Sequence, residues 1–401
     1  MHAVDRRADG RPRVSVVMAN FEAGEKIVPA LRSVLDQSMG DLEVIVCDDA
    51  SGDDSMDMVR ALMESDPRIR LSRSNVNRGP AACRNRALSM ARGNWIAVVD
   101  SDDIIHPERF ERLLAAADAA DADIVADDLL LFHEDGTPPR LMLGDDVPGS
   151  FVVSAERWVM AGLDGSPALG YLKPMIKARR LQSLRYDESL RIGEDYDFVL
   201  RLLLDGARMI VVPEPFYLYR RHSGSISHRL SVRDMQAMVE RQRALSLEHE
   251  PLSPELSAAF ARRLTVLKQG LSYEQLVAAI KGRQMLEAMG LLAAQPGHLG
   301  RLWASFGEGR QRRSQPVRTS AKPTGALVLG GRGGSDPETV VPDYVPAQQV
   351  DWSAPRPRGL WRDLAAHAGM HCIALDAAGR YAAGFIPEVR LSMRNALQEA
   401  S

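Results

Sequence analysis

The chain has 401 residues, 45% hydrophobic and 26% charged, with a formal net charge of −3. That length allows two or three domains and a sizeable core, and the near-neutral balance excludes a general nucleic-acid binder, which carries a marked basic excess. Cys47, Cys83 and Cys372 lie far apart without CxxC or Cys/His zinc spacing, so neither a disulfide framework nor a structural metal site is expected, and a reducing compartment fits.

Residues 1–12 are polar and basic without an apolar core, which reads as a disordered tail rather than a secretory signal. From Arg13 the pattern alternates between two periods. RVSVVMA (13–19) is a β-branched strand, Ile27, Leu31, Val34 and Leu35 recur at helical spacing, and LEVIVC (42–47) is a second strand ending in Asp48-Asp49. A helix over 56–63, a short strand at 69–72, a helix over 81–91 and the run Trp95–Val99 continue the alternation. This order predicts an α/β fold with a mostly parallel, Rossmann-like sheet flanked by helices and right-handed crossovers. Strands are then expected at 122–126 and 129–132, separated by Asp127-Asp128, and at 209–212 and 216–219, with a helix over 196–204 between them. Residues 134–170, rich in Gly, Pro and Asp, form a long loop expected to shape an acceptor pocket, with Trp158 and Tyr171 in or near it as aromatic faces that could stack on a ligand or simply pack. Beyond residue 230 helical spacing dominates to about 305, then 306–360 reads as linker, GGRGG at 330–334 included, and 361–401 carries no clear assignment. No stretch is apolar for eighteen residues, so a cytosolic chain is expected, with any membrane contact peripheral. Arg residues interleaved with Leu and Met in the helical region could serve a membrane face or a partner, although solvated helix faces look the same.

Four clusters fall at strand ends or helix starts, where ligands bind in such sheets. Ala19-Asn20-Phe21 offers backbone groups and an aromatic face to a base. Asp48 and Asp49 can accept from a base N–H. In NVNRGPAACRN (75–85), Gly79-Pro80 turns the chain into a helix whose N-terminus attracts phosphate, with Arg78 and Arg84 adding positive charge. Asp100, Asp102 and Asp103 end the strand Trp95–Val99. Three acids in four residues suit a hard cation such as Mg²⁺ or Mn²⁺ bridging a diphosphate, or equally a solvated turn that caps the next helix.

In order, VSVVMANF, EVIVCDDAS, NRGPAACRNRAL, GNWIAVVDSDD and GEDYDFVLRLL closely resemble the inverting, GT-A fold glycosyltransferases of family 2, over roughly residues 13 to 230. NRGPAACRN, ADIVADDL, RIGEDYDFVLRLL and YRRHSGSIS further resemble bacterial exopolysaccharide glucosyltransferases of the succinoglycan type. The resemblance implies that Ala19, Phe21 and Asp49 contact the uracil of a UDP-sugar with Asp48 in support. It implies Asp100 near the ribose or diphosphate, Asp102 as direct metal ligand, and Asp103 as a cap. One departure stands out: the family usually reads Tyr-Asn after the first strand, whereas Phe21-Glu22 keeps the aromatic face without a hydroxyl. Asp195 is the expected base, since an inverting transfer needs a carboxylate across the sugar from the diphosphate, and Glu194 an expected acceptor contact. His222 would complete the metal shell or bind diphosphate, with Arg220 and Arg221 closing over the phosphates as a lid. The expected reaction moves a hexose, glucose first, from UDP-glucose to a hydroxyl of a lipid-linked oligosaccharide. The competing reading is a degenerate nucleotide-binding scaffold of a synthase complex. A sugar nucleotidyltransferase lacks the required Gly-rich, Lys/Arg-bearing loop after the first strand.

Overall fold

The computed structural model describes residues 10–133, 140–144, 146–221, 230–300 and 302–303, together with four short strands at 326–330, 346–351, 371–374 and 390–393. The N-terminal part alternates as β1 (Val14–Asn20), α1 (Ile27–Leu35), β2 (Leu42–Asp48), α2 (Ser55–Ser65), β3 (Ile69–Arg73), α3 (Pro80–Met90) and β4 (Trp95–Val98). The strands pair in parallel in the order β3-β2-β1-β4. β1 and β2 are buried almost throughout, which is why they read as unbroken apolar runs rather than alternating ones. α1 covers the sheet with Ile27, Ala30, Leu31 and Val34, one stripe at helical spacing. A Cβ on Gly93 would lie 2.5 Å from the backbone nitrogen of Ser15, so only glycine lets the turn into β4 pass this close to β1.

The chain continues through β5 (Ile104–Ile105), α4 (Arg109–Ala119), β6 (Ile124–His133), β7 (Arg140–Leu141), β8 (Phe151–Val153), α5 (Ala155–Met160), β9 (Met175–Lys177), α6 (Glu194–Leu204) and β10 (Met209–Arg221). The sheet extends as β4-β9-β6-β10-β5, with β9 antiparallel to both neighbours and β6 parallel to β10. Two expected breaks are absent. β6 runs straight through Asp127-Asp128 because both carboxylates are buried and satisfied, Asp128 accepting from the N–H of Leu129 and Leu143 at 2.8 and 2.9 Å. β10 absorbs Pro213 and Pro215 in a register shift between Val212 and Tyr217, where a missing N–H costs no ladder bond. The interval 134–170 is more regular than expected, since it holds β7, β8 and α5.

Three helices follow, α7 (Val232–Glu248), α8 (Pro254–Lys281) and α9 (Met285–Ala294). Ser231 caps α7 in a reciprocal box with Asp234, and Ser253 caps α8. α7 and α8 are fastened to α6: Arg241 meets Asp197 at 2.7 Å, and the Arg263 guanidinium lies 3.8 Å from the Tyr196 ring centroid. β11 (Ala326–Gly330), β12 (Pro346–Asp351), β13 (His371–Ala374) and β14 (Arg390–Met393) form a separate all-parallel sheet, ordered β12-β11-β13-β14. β11 and β12 lie inside 306–360, the interval expected as linker. The apolar run ALVLG is strand-forming despite its Gly, Arg and Pro surroundings.

One buried ion pair fixes the floor beneath the site. Arg109 and Asp127 are both fully buried and doubly bonded, with Nη2 2.8 Å and Nε 3.0 Å from the carboxylate. Arg109 also donates to the carbonyl of Lys173 and lies 5.0 Å from the Tyr217 ring centroid. Removing one partner strands the other charge in the core. We predict that Asp127→Ala loses about 3–5 kcal/mol of stability in urea unfolding, and a loss below about 1 kcal/mol would contradict this role.

Candidate active site

The carboxyl ends of β1, β2 and β4 converge on one edge of the sheet. Buried Asn20, the last residue of β1, donates from Nδ2 to Asp48 Oδ1 at 3.0 Å and to the hydroxyls of Ser51 and Ser55 at 3.2 Å each. Asp48 is wholly buried and also meets Arg73 at 3.3 Å. Its side chain therefore ties three strand ends together rather than facing a ligand. Asp49 accepts from the backbone N–H of Arg78 at 3.0 Å and of Gly79 at 2.7 Å. That folds the Arg78-Gly79-Pro80 turn back over β2, with Gly79 at φ 90°, a conformation glycine supplies at little cost. Ala19 is half-buried, and Phe21 at the rim is 46% exposed, leaving its ring face accessible. The Arg78 side chain points away to an exposed pair with Glu188 at 2.7 Å.

Beside this edge two buried cations gather three carboxylates. Arg84, on α3, reaches Glu194 at 2.7 Å, Asp195 at 3.2 Å and Asp100 at 3.1 Å. Lys173, in the segment entering β9, reaches Asp100 at 2.7 Å and Asp195 at 3.1 Å. Burial works to discharge the Lys173 ammonium, yet Asp100 and Asp195 outweigh it and hold its pKa well above the usual lysine value. Burial likewise opposes ionisation of Asp100, but Lys173 and Arg84 hold its carboxyl down to about 2. Glu194 goes the other way, raised first by burial and then by its neighbour Asp195. Expected as an acceptor contact, Glu194 is instead buried against Arg84. Asp195 keeps a partly exposed side chain, at 19%. Both acids lie inside the first turn of α6, which starts two residues earlier than its apolar spacing suggests because Gly193, at φ 88°, turns the chain directly into the helix.

The acidic turn after β4 divides its labour. Asp100 faces the two cations, Asp102 is half-buried, and Asp103 is buried with Oδ1 accepting from the N–H of Arg220 at 2.7 Å. Burial, then Asp102 and Asp100, push the Asp103 carboxyl well above its usual range. Arg220, expected in a lid, is a buried β10 residue whose Nε donates to the carbonyl of Asp102 at 2.8 Å. Two ties and burial make it a support for the acidic turn. Arg221 lies over Tyr171 and Tyr219, at 5.4 and 5.5 Å from their ring centroids. His222 lies outside the described residues. Trp158 is buried, donates to the carbonyl of Tyr196 at 3.1 Å and stacks on its ring, so it is packing; Tyr171 remains 36% exposed. The expected acceptor-side loop lines an open pocket of about 590 Å³ with Leu143, Val147, Phe151, Arg157, Pro167 and Leu169. Leu169 opens a short turn whose Gly170 packs against Tyr196, next to Asp195.

A divalent cation fits the chemistry of this edge but finds no finished cage. The donors are carboxylate oxygens, which suit Mg²⁺ or Mn²⁺, and Asp103 Oδ2 is buried without a hydrogen-bond partner among them. Among the described residues no group of three ligating side chains is assembled.

Comparison with known proteins agrees with this architecture. Residues 15–164 match the model of "Glycosyl transferase family 2". The chain is 35% identical to the succinoglycan biosynthesis protein ExoO of Rhizobium meliloti over 72% of its own length and 83% of ExoO. It is 30% identical to ExoU of the same organism over 80% of its length and 93% of ExoU. It superposes on residues 1–349 of S. aureus TarS, solved with UDP-GlcNAc, at a TM-score of 0.50 and 17% identity, covering 71% of this chain and 92% of that one. The chain belongs to glycosyl transferase family 2 and has the GT-A fold of a glycosyltransferase.

Lys173 was not marked by any sequence signal, since it stands alone before a proline in an otherwise apolar segment. We predict that Lys173→Met lowers turnover of a sugar nucleotide about 10²-fold or more, read as release of the nucleoside diphosphate. A change of less than about threefold would show the ammonium to be incidental to the chemistry.

Proposed function

We propose that the chain transfers a hexose, glucose in the first instance, from a UDP-sugar to a hydroxyl of a lipid-linked oligosaccharide, inverting the anomeric centre, in exopolysaccharide synthesis. The observation that carries this is the sharing of two cations by Asp100 and Asp195. A donor-side carboxylate and a partly exposed carboxylate from another element are thus held side by side, which brings to one site the two functions a single displacement needs, diphosphate binding and a base. Two relatives named for succinoglycan biosynthesis support the polysaccharide context. A neighbour of the same fold solved with UDP-GlcNAc is in keeping with a UDP-sugar donor.

In this reading Phe21 stacks on the uracil, Ala19 lines its edge, and Asp49 shapes the turn beneath it. Asp102, with Asp100 beside it, would hold Mg²⁺ or Mn²⁺. When bound, that cation offsets the charge developing on the departing diphosphate. Lys173 and Arg84 keep Asp100 ionised and orient Asp195, whose partly exposed carboxylate takes the proton from the attacking acceptor hydroxyl. Glu194 anchors Arg84, and Arg220 with Asp103 keeps the acidic turn in place. The acceptor approaches over Tyr171 and the cavity behind it.

The test is release of UDP from UDP-glucose, with and without acceptor and divalent cation, for wild type, Asp102→Ala and Asp195→Asn. We expect divalent-dependent release in the wild type. Both variants should lose about 10²-fold or more, with Asp195→Asn still binding UDP. Activity surviving in both variants would overturn the assignment, and UDP binding without turnover by the wild type on any acceptor would favour a degenerate scaffold.

A further inference from the structure

Residues 281–303 present an apolar surface that nothing in the described residues covers. α9, MLEAMGLLAA, carries one charge, Glu287. Its inner face is used: Ala288 is buried against Leu276 and Ala279 of α8, and Leu291 and Leu292 pack on the same cluster. The opposite face is apolar as well, with Met285 55%, Leu286 88% and Met289 66% exposed. The helical residues that follow add Leu299 at 52% and Trp303 at 80%. Five of the chain's exposed large apolar side chains thus fall within nineteen residues. A surface helix normally turns a polar face to water, and one apolar all round is buried in something.

The patch is held in shape. His298, buried at the start of the helical residues after α9, lies 3.2 Å from the Ser272 hydroxyl, with its ring against Tyr273 at 5.6 Å. Leu299 is therefore presented from a segment docked on α8.

Charge identifies the occupant. From Lys281 to Lys322 the sequence holds eight Lys or Arg and two Glu, a net of +6 in a chain whose total is −3. Lys281 and Arg283 precede the patch, and Arg301, Arg310, Arg312 and Arg313 fall within and after it. Exposed Leu, Met and Trp in a stretch of sequence with a net positive charge match the requirements of an anionic bilayer surface: apolar side chains enter the acyl boundary while cations meet headgroup phosphates. α9 has ten residues, too few to span a bilayer, and no described helix is long and apolar enough to do so. We infer that α9 and the helical residues after it dock the protein on an anionic lipid surface, lying in the interface plane.

The test is co-sedimentation of the full chain with vesicles of phosphatidylcholine alone or mixed with phosphatidylglycerol, for wild type and the double variant Leu286→Glu/Trp303→Glu. Both substituted side chains are exposed, and an unchanged urea unfolding midpoint checks that the variant is folded. We expect binding to the mixed vesicles, weakened by salt, little binding to phosphatidylcholine alone, and about a tenfold or greater loss in the double variant. Absence of binding to the mixed vesicles, or equal binding by the variant, overturns the inference. So does a wild-type dimer that the variant abolishes in sedimentation velocity, since a second copy would then cover the patch. Slow hydrogen exchange over 285–303 without vesicles would assign the cover to the chain's own C-terminal segment, again overturning it. No turnover is read, so failure here leaves the transfer reading standing.

Discussion

The structure depends on the placement of Arg84 and Lys173 among Asp100, Glu194 and Asp195. Three carboxylates this close, mostly shielded from water, repel one another strongly enough to hold α6 away from the end of β4. Two buried cations reverse the sign of that interaction. Burying so many charges is costly in itself, so the network is better understood as a device that fixes geometry than as a source of net stability. It forces α3, the end of β4, the segment before β9 and the first turn of α6 to one point.

Around that point lies a second layer that keeps the first in place. Arg109, paired with Asp127, grips the carbonyl of Lys173 from below. Arg220 grips the carbonyl of Asp102 with its side chain and donates its backbone N–H to Asp103. Asp49 clamps the turn that launches α3, and with it Arg84. Each of these is a buried or half-buried charge spent on a backbone group or on an opposite charge. What remains accessible is a short set: Phe21, part of Asp195, Tyr171 and the edge of the acidic turn. That division lets a rigid scaffold offer a few groups to a nucleotide-sugar.

Much of this was legible in the sequence because the first half of the domain is built from contiguous signals. Apolar runs that end in Asp, and Gly79-Pro80 before a helix, are local features, and β1 through β4 lie where those runs fall. What was not legible depends on partners distant in the chain. β9 is three residues long and exists only because β4 and β6 flank it. Asp127-Asp128 looks like a break until Arg109 is known to neutralise the first, and Arg220 looks like part of a mobile basic loop until β10 buries it. Lys173 has no pattern at all, since its role comes from facing Asp100 and Asp195 across the fold.

The most direct measurement is a double-mutant cycle between Arg84→Met and Asp195→Asn, with stability read by urea unfolding of the two single variants, the double variant and the wild type. If the guanidinium joins the donor edge to α6 as described, the effects couple by about 1–3 kcal/mol, the double variant losing less than the two singles together. Additivity within about 0.5 kcal/mol would contradict it, because residues that share no interaction simply add.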